Sequence, residues 1–183
     1  TNGKVHGVRN VVYGAGMIVR RTAWEYIVSN GFTFFTLGRT GRKLSSGEDS
    51  ELCLAFQIAE FDIWYDNSLQ FKHFIESKRL TNSYLKQLQN GMSSSGYVTR
   101  FYRNYLFGYK PHVTKYFWLK EFLYSLKDLV QGIFVKPTIV GMKRNLDFTL
   151  YLVRERSRYN ENVKKVLGIC ENLEESRRTS LLK

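Results

Sequence analysis

Acidic residues are scarce in this chain: 16 Asp and Glu stand against 28 Lys and Arg, a formal net charge of +12 over 183 residues. There are only two cysteines, Cys53 and Cys170, far apart and in no Cys-x-x-Cys spacing, which excludes a disulfide framework and a thiolate zinc site and points to a reducing compartment. Two prolines, Pro111 and Pro137, leave long stretches open to uninterrupted helix. No run approaches the roughly 18–20 uncharged apolar residues that a helical membrane span requires. What is present is 43% hydrophobic and 15% aromatic residues, enough for one domain with a real core and too much for a disordered tail. The chain starts at Thr1 with no initiator Met and no signal-peptide layout, as expected of a fragment or a processed product.

The positive charge is unevenly spread. Residues 1–80 hold 10 basic and 8 acidic residues, whereas 84–145 hold 10 basic and 2 acidic ones. A block of that sign seeks phosphates, whether on a lipid surface, a nucleotide-sugar or a nucleic acid.

Patterning divides the chain near residue 80. Before it, 11–19 reads as a strand interrupted by Gly14 and Gly16, 23–28 as a short helix ended by Asn30-Gly31, and 32–47 as a Gly/Ser loop with Arg39, Arg42 and Lys43 at its tip. A helix is expected over 48–59, a strand over 61–65, a turn at Asp66-Asn67-Ser68 and a second strand over 69–74. After it the pattern is helical: one helix begins at 83–89, weakens through a Gly/Ser stretch and resumes over 97–107, where Gly108 and Pro111 stop it. Further helices are expected over 115–136, 139–158 and 160–178, with Pro137-Thr138 as a break and restart. Two regions follow, 1–80 and 81–183, the second basic and amphipathic.

The most informative stretch runs from Ser45 to Phe56. Its Ser/Gly loop feeds Glu48, Asp49 and Glu51 into the first turn of a helix whose apolar positions 52, 55, 56 and 59 repeat at helical spacing. Acids at a helix start are favoured by the macrodipole, and Ser45/Glu48 or Ser46/Asp49 has the form of a capping box. The same placement also suits a catalytic base.

Taken in order, Tyr13-Gly14-Ala15-Gly16-Met17-Ile18-Val19-Arg20-Arg21, then Gly47-Glu48-Asp49-Ser50-Glu51-Leu52-Cys53, then Phe71-Lys72-His73 with Ser77-Lys78-Arg79-Leu80-Thr81, this region resembles the acceptor-side half of the family 2 glycosyltransferases. Those are inverting enzymes of GT-A fold that build bacterial polysaccharides, and the resemblance spans residues 5–85. It implies an α/β class, α+β in this piece: the acceptor-side part of a GT-A fold with few strands, followed by a mostly helical C-terminal region.

The activity it implies is transfer of a sugar from a nucleotide-sugar donor to a hydroxyl of a glycan or lipid-linked acceptor. A hydroxyl ionises far above neutrality, so a carboxylate must take its proton as the new bond forms. The family's Glu-Asp pair falls on Glu48 and Asp49, with Asp49 as base and Glu48 holding acceptor hydroxyls or orienting the helix start. GT-A enzymes offset the charge of the leaving diphosphate with a divalent ion, Mn or Mg, bound through an Asp-x-Asp motif. That motif does not occur here. In relatives it lies in the preceding nucleotide-binding half, so this piece is expected to be inactive alone. The resemblance places His73 near the metal or the donor diphosphate; a hydrogen-bonded His at a strand end fits the position equally well. It places Lys78 and Arg79 near the diphosphate, where a solvated loop is the alternative. Gly14 and Gly16 allow a sugar or pyrophosphate to approach the backbone or mark a bulge, and Trp64 and Tyr65 suit stacking on a sugar, with at least one expected in the core. The Gln-x-x-Arg-Trp element of processive synthases is missing, which favours transfer of one or a few sugars.

On this reading the helices within 84–145 make peripheral contact with the inner face of a plasma membrane, the chain is cytoplasmic, and exposed aromatic helices are compatible with a homodimer. Zinc spacing, an RNP-like strand and a clear helix-turn-helix are all missing, so nucleic acid is not the expected partner. A basic nucleic-acid-binding module, or a helical interaction domain without chemistry, remains the alternative.

Overall fold

The computed structural model describes residues 2–5, 11–36, 47–134 and 139–181. Among them the chain is mostly helical with one small antiparallel sheet, an α+β arrangement. The expected basic loop tip at 38–46, the Ser caps before Glu48, His6 and the Pro137-Thr138 break lie outside the described residues.

Helix α1 (Arg21–Ser29) buries Ala23 and Ile27, one turn apart on a single face. Its end is closed by Gly31 at φ +86°, the Gly31 amide donating to Val28 O (3.1 Å) and that of Phe32 to Ile27 O (3.0 Å). This is the Schellman arrangement, with Phe32 and Ile27 buried beside it. Helix α2 (Glu48–Ile58) ends in the same way, but with Glu60 in the left-handed region at φ +60° and Phe61 N donating to Phe56 O at 2.8 Å. Helix α3 (Asn82–Leu106) repeats the motif at Gly108, φ +81°. That end was legible, but its interior was not: the Gly/Ser stretch at 91–96 does not weaken α3, which runs unbroken for 25 residues. Glycine costs about 1 kcal/mol in a helix, less than the packing of an aromatic-rich half contributes.

Helix α4 (Phe117–Phe134) pairs with α5 (Ile139–Arg154), and α6 (Arg156–Leu181) closes the molecule. The turn between the last two falls at Glu155, where Tyr159 N donates to Glu155 O at 2.8 Å, earlier than the expected break near 159. The core is built from α2, α3 and α6. Helix α2 buries Cys53, Leu54, Ala55, Phe56 and Ile58; α3 supplies Val98, Phe101, Tyr102 and Tyr105; and α6 turns Tyr159, Val163, Val166, Cys170 and Leu173 inward at 3- and 4-residue steps. Residues from both sides of position 80 therefore meet in one hydrophobic cluster. Around it, Glu174 of α6 accepts from Tyr105 Oη (2.5 Å) and Lys110 Nζ (2.6 Å), contacts that hold its carboxyl below the usual range.

Sheet structure is sparser than the sequence predicts. Strand β1 (Gly3–Lys4) pairs antiparallel with β2 (Trp64–Tyr65), Gly3 opposite Tyr65. The expected strand over 11–19 is instead an irregular segment with a turn, in which Met17 N donates to Gly14 O at 3.1 Å with Gly16 at φ +80°. The expected strand over 69–74 does not form, and the Leu69 and Gln70 amides close back on Asp66 O and Ser68 O. The β-branched residues of 11–19 and the alternation of 69–74 make both segments able to pair, but a strand persists only beside a partner, and the described residues provide none. The Asp66-Asn67-Ser68 turn forms as expected, Ser68 N and Oγ both donating to Asp66 Oδ1. Trp64 and Tyr65 are both exposed, so neither is a core residue.

Candidate functional site

Three segments converge at the start of α2. Gly47, at φ +133°, turns the chain so that its carbonyl accepts from Glu51 N (2.8 Å) and opens the helix. Glu48 folds back, its Oε2 accepting from Gly47 N at 2.9 Å, which satisfies one amide of the free helix end. Asp49 Oδ1 accepts from Ser50 N at 2.8 Å, while Oδ2 reaches across to accept from Gly14 N at 3.1 Å. The 14–17 turn is thus tied to the carboxylate proposed as base. A Cβ at Gly14 would lie only 3.5 Å from Asp49 Cβ, and one at Gly16 would fall 2.4 Å from a Phe71 ring carbon. Phe71 in turn stands 6.2 Å, centre to centre, from the His73 ring.

The three sequence pieces behind the resemblance are therefore linked by contact: the Gly turn to Asp49, and the same turn to Phe71 and its neighbour His73. The glycines act here by letting a carboxylate and a ring close on the turn. The turn is exposed and Asp49 is half-buried. A carboxylate offers about four lone-pair sites, and two bonds leave it free to accept a further hydroxyl.

Other sequence candidates are engaged elsewhere. Lys78 pairs with Glu76 at 2.6 Å, and Arg79 donates to Tyr84 Oη at 3.1 Å and lies 5.6 Å over its ring. Among the described residues no hydrogen bond, ion pair or ring contact joins Trp64, Lys78 or Arg79 to the Asp49 turn. His73 is exposed, and no three His, Cys, Asp or Glu side chains among the described residues come together as a cation site. These side chains do not by themselves fit a divalent ion.

Glu51 is the residue that sequence reasoning missed. It is fully buried, and its carboxylate accepts from Phe35 N (3.0 Å), Thr36 N (2.9 Å) and Thr36 Oγ1 (2.6 Å). A buried charge requires such partners, so Glu51 fixes the 35–36 segment against the helix start. The signal was its spacing: Glu51 shares a face with Leu54, Ala55 and Ile58, all buried. Burial, and then the Glu51 charge, push the Tyr102 hydroxyl upward in pKa. Burial also raises Cys53, whose Sγ lies 3.8 Å from Val12 O, keeping it a neutral thiol rather than a nucleophile.

No protein-family model, curated protein or solved structure matches the chain. Among the described residues no helix is long and apolar enough to cross a membrane.

Proposed function

We propose that this chain is the acceptor-side portion of an inverting glycosyltransferase of GT-A type, with Asp49 as the base that deprotonates the acceptor hydroxyl. The observation that carries this reading is the Asp49 Oδ2 to Gly14 N–H bond, which aims the carboxylate at an exposed turn that also contacts Phe71 beside His73. In the reaction the acceptor O–H gives its proton to Asp49 and the oxygen bonds to the anomeric carbon. The bond from that carbon to the nucleoside diphosphate breaks on the opposite face, and the electron pair leaves with the phosphate. Glu48, bonded to Gly47 N, and Glu51, holding residues 35–36, position the start of α2 and with it Asp49. The donor, a nucleotide-sugar with its divalent ion, is assigned to a nucleotide-binding half outside these residues. The acceptor is a glycan or lipid-linked hydroxyl, met on the cytoplasmic side.

The test is nucleoside diphosphate release by the intact enzyme across a panel of nucleotide-sugars and acceptors. Asp49→Asn keeps the shape of the side chain and one of its two acceptor positions, gives up the other bond to a backbone amide and removes the base, and should lower turnover about 10²–10⁴-fold with unchanged circular dichroism. An Asp49→Asn enzyme as fast as the parent, or a parent that transfers no sugar at all, rejects the assignment.

A further inference from the structure

The hairpin of α4 and α5 has two unlike sides. Its helices run antiparallel, with the Ser125 and Thr149 hydroxyls 2.7 Å apart and Asn145 Nδ2 reaching Asp128 O. Phe117 and Leu152 are buried in the core, and Glu121 meets Arg100 of α3. On the other side both helices leave an apolar stripe bare: Leu119, Leu123 and Val130 on α4, and Leu146, Leu150 and Val153 on α5, each 37–55% exposed. The steps of three, four and seven residues keep each stripe on one face, and the hydroxyl contact between the helices sets both stripes on the side away from the core.

The charges that frame this face are mostly basic. Lys120 and Lys127, seven residues apart, run along the outer edge of the α4 stripe, and Lys143 and Arg154 along that of α5, all exposed. Lys115 and Lys120 lie 6.0 and 5.8 Å over the rings of Tyr116 and Tyr124. Tyr116, Leu119, Lys120, Leu123 and Tyr124 border a shallow groove of about 400 Å³. The acids of α4, Glu121 and Asp128, fall on the side away from its stripe, whereas Asp147 of α5 stands on the outer edge between Lys143 and Arg154 and leaves that edge with one net positive charge.

We propose that this face of the α4–α5 hairpin docks in the plane of an anionic lipid bilayer, the stripes entering the headgroup boundary and the basic edges meeting anionic headgroups. An apolar face edged by lysine and tyrosine is what such a surface selects. A second copy of the chain is disfavoured, because two-fold pairing of α4 on α4 through this face would bring one copy's Lys120 and Lys127 against the other's. The wider sequence expectation, contact through 84–145, narrows accordingly: α3 commits Phe101, Tyr102 and Tyr105 to the core. This inference does not use Asp49 and stands or falls apart from the transferase reading.

The experiment is co-sedimentation of the purified chain with phosphatidylcholine vesicles, with and without about 30 mol % phosphatidylserine, at two salt concentrations. Binding is expected only to the anionic vesicles and should weaken with salt. Lys120→Glu/Lys127→Glu should lower partitioning at least about 25-fold, since each basic residue near such a surface is worth about fivefold. Leu123→Gln/Leu150→Gln should lower it about tenfold. The control Lys164→Glu/Lys165→Glu changes net charge equally at an exposed site on α6 and should stay within about twofold. Equal loss in that control, equal binding to neutral vesicles, or a solution dimer that Leu123→Gln/Leu150→Gln dissociates each overturns the proposal.

Discussion

The interior of α2, α3 and α6 and the segment 61–76 are both rich in aromatic and apolar residues, yet they use them in opposite ways. In the first, Phe101, Tyr102 and Tyr159 are almost wholly enclosed, and Tyr159 stacks on Phe117 with ring centres 6.3 Å apart. In the second, Trp64, Phe71 and Phe74 stand in solvent, Phe74 at 83% exposure. Hydrophobic content alone does not decide burial. A helix brings its own backbone partners and needs only a face to pack, whereas an extended segment needs a neighbouring strand before its side chains have anywhere to go.

The contrast can be broken by mutation. Tyr159→Ala should cost about 3–5 kcal/mol, because it removes a ring from a packed interior along with the hydroxyl that bonds the Arg100–Glu121 pair. Urea unfolding measures it, and a loss below about 1 kcal/mol would mean that this interior is loosely packed. Glu51→Ala should cost about 3 kcal/mol by leaving two amides and a hydroxyl unpaired, with hydrogen exchange accelerating at Phe35 and Thr36. Gly16→Val places a branched side chain at φ +80° against Phe71 and should cost about 2 kcal/mol. Adding Phe71→Ala should return only the part due to the clash, and full additivity in that cycle would show that the ring does not press on the turn. Phe74→Ser should change stability by less than about 0.5 kcal/mol. A larger loss would move 61–76 into the same class as the core and erase the distinction.

The same physics governs what was legible in the sequence. The end of α1 at Asn30-Gly31, the extent of α2, the stop at Gly108 and the Asp66 turn were readable because each is set by local backbone chemistry. Strands at 11–19 and 69–74 were not, because β-branched content and alternation report only the ability to pair. The unbroken path of α3 was hidden by its Gly/Ser stretch, and the burial of Phe101 and Tyr102 on the side facing α6 is tertiary information. At the candidate site, Asp49 and the two glycines were named from the order of their motifs, and their contact is a finding of the fold. Glu51 was counted as one more acid at a helix start, although its register with Leu54 and Ile58 marked it as an inward residue.

Asn160 of α6 holds the root of α4 with three bonds: its Oδ1 accepts from Trp118 N at 3.0 Å, and its Nδ2 donates to Thr114 O (3.1 Å) and Lys115 O (3.0 Å). One amide thus serves as the cap that α4 lacks in its own sequence, and it is carried by a different rod of the structure. Tilting α4 as a lever would have to break that clamp, so a load on the hairpin travels into α6 and from there to the helix that bears Asp49.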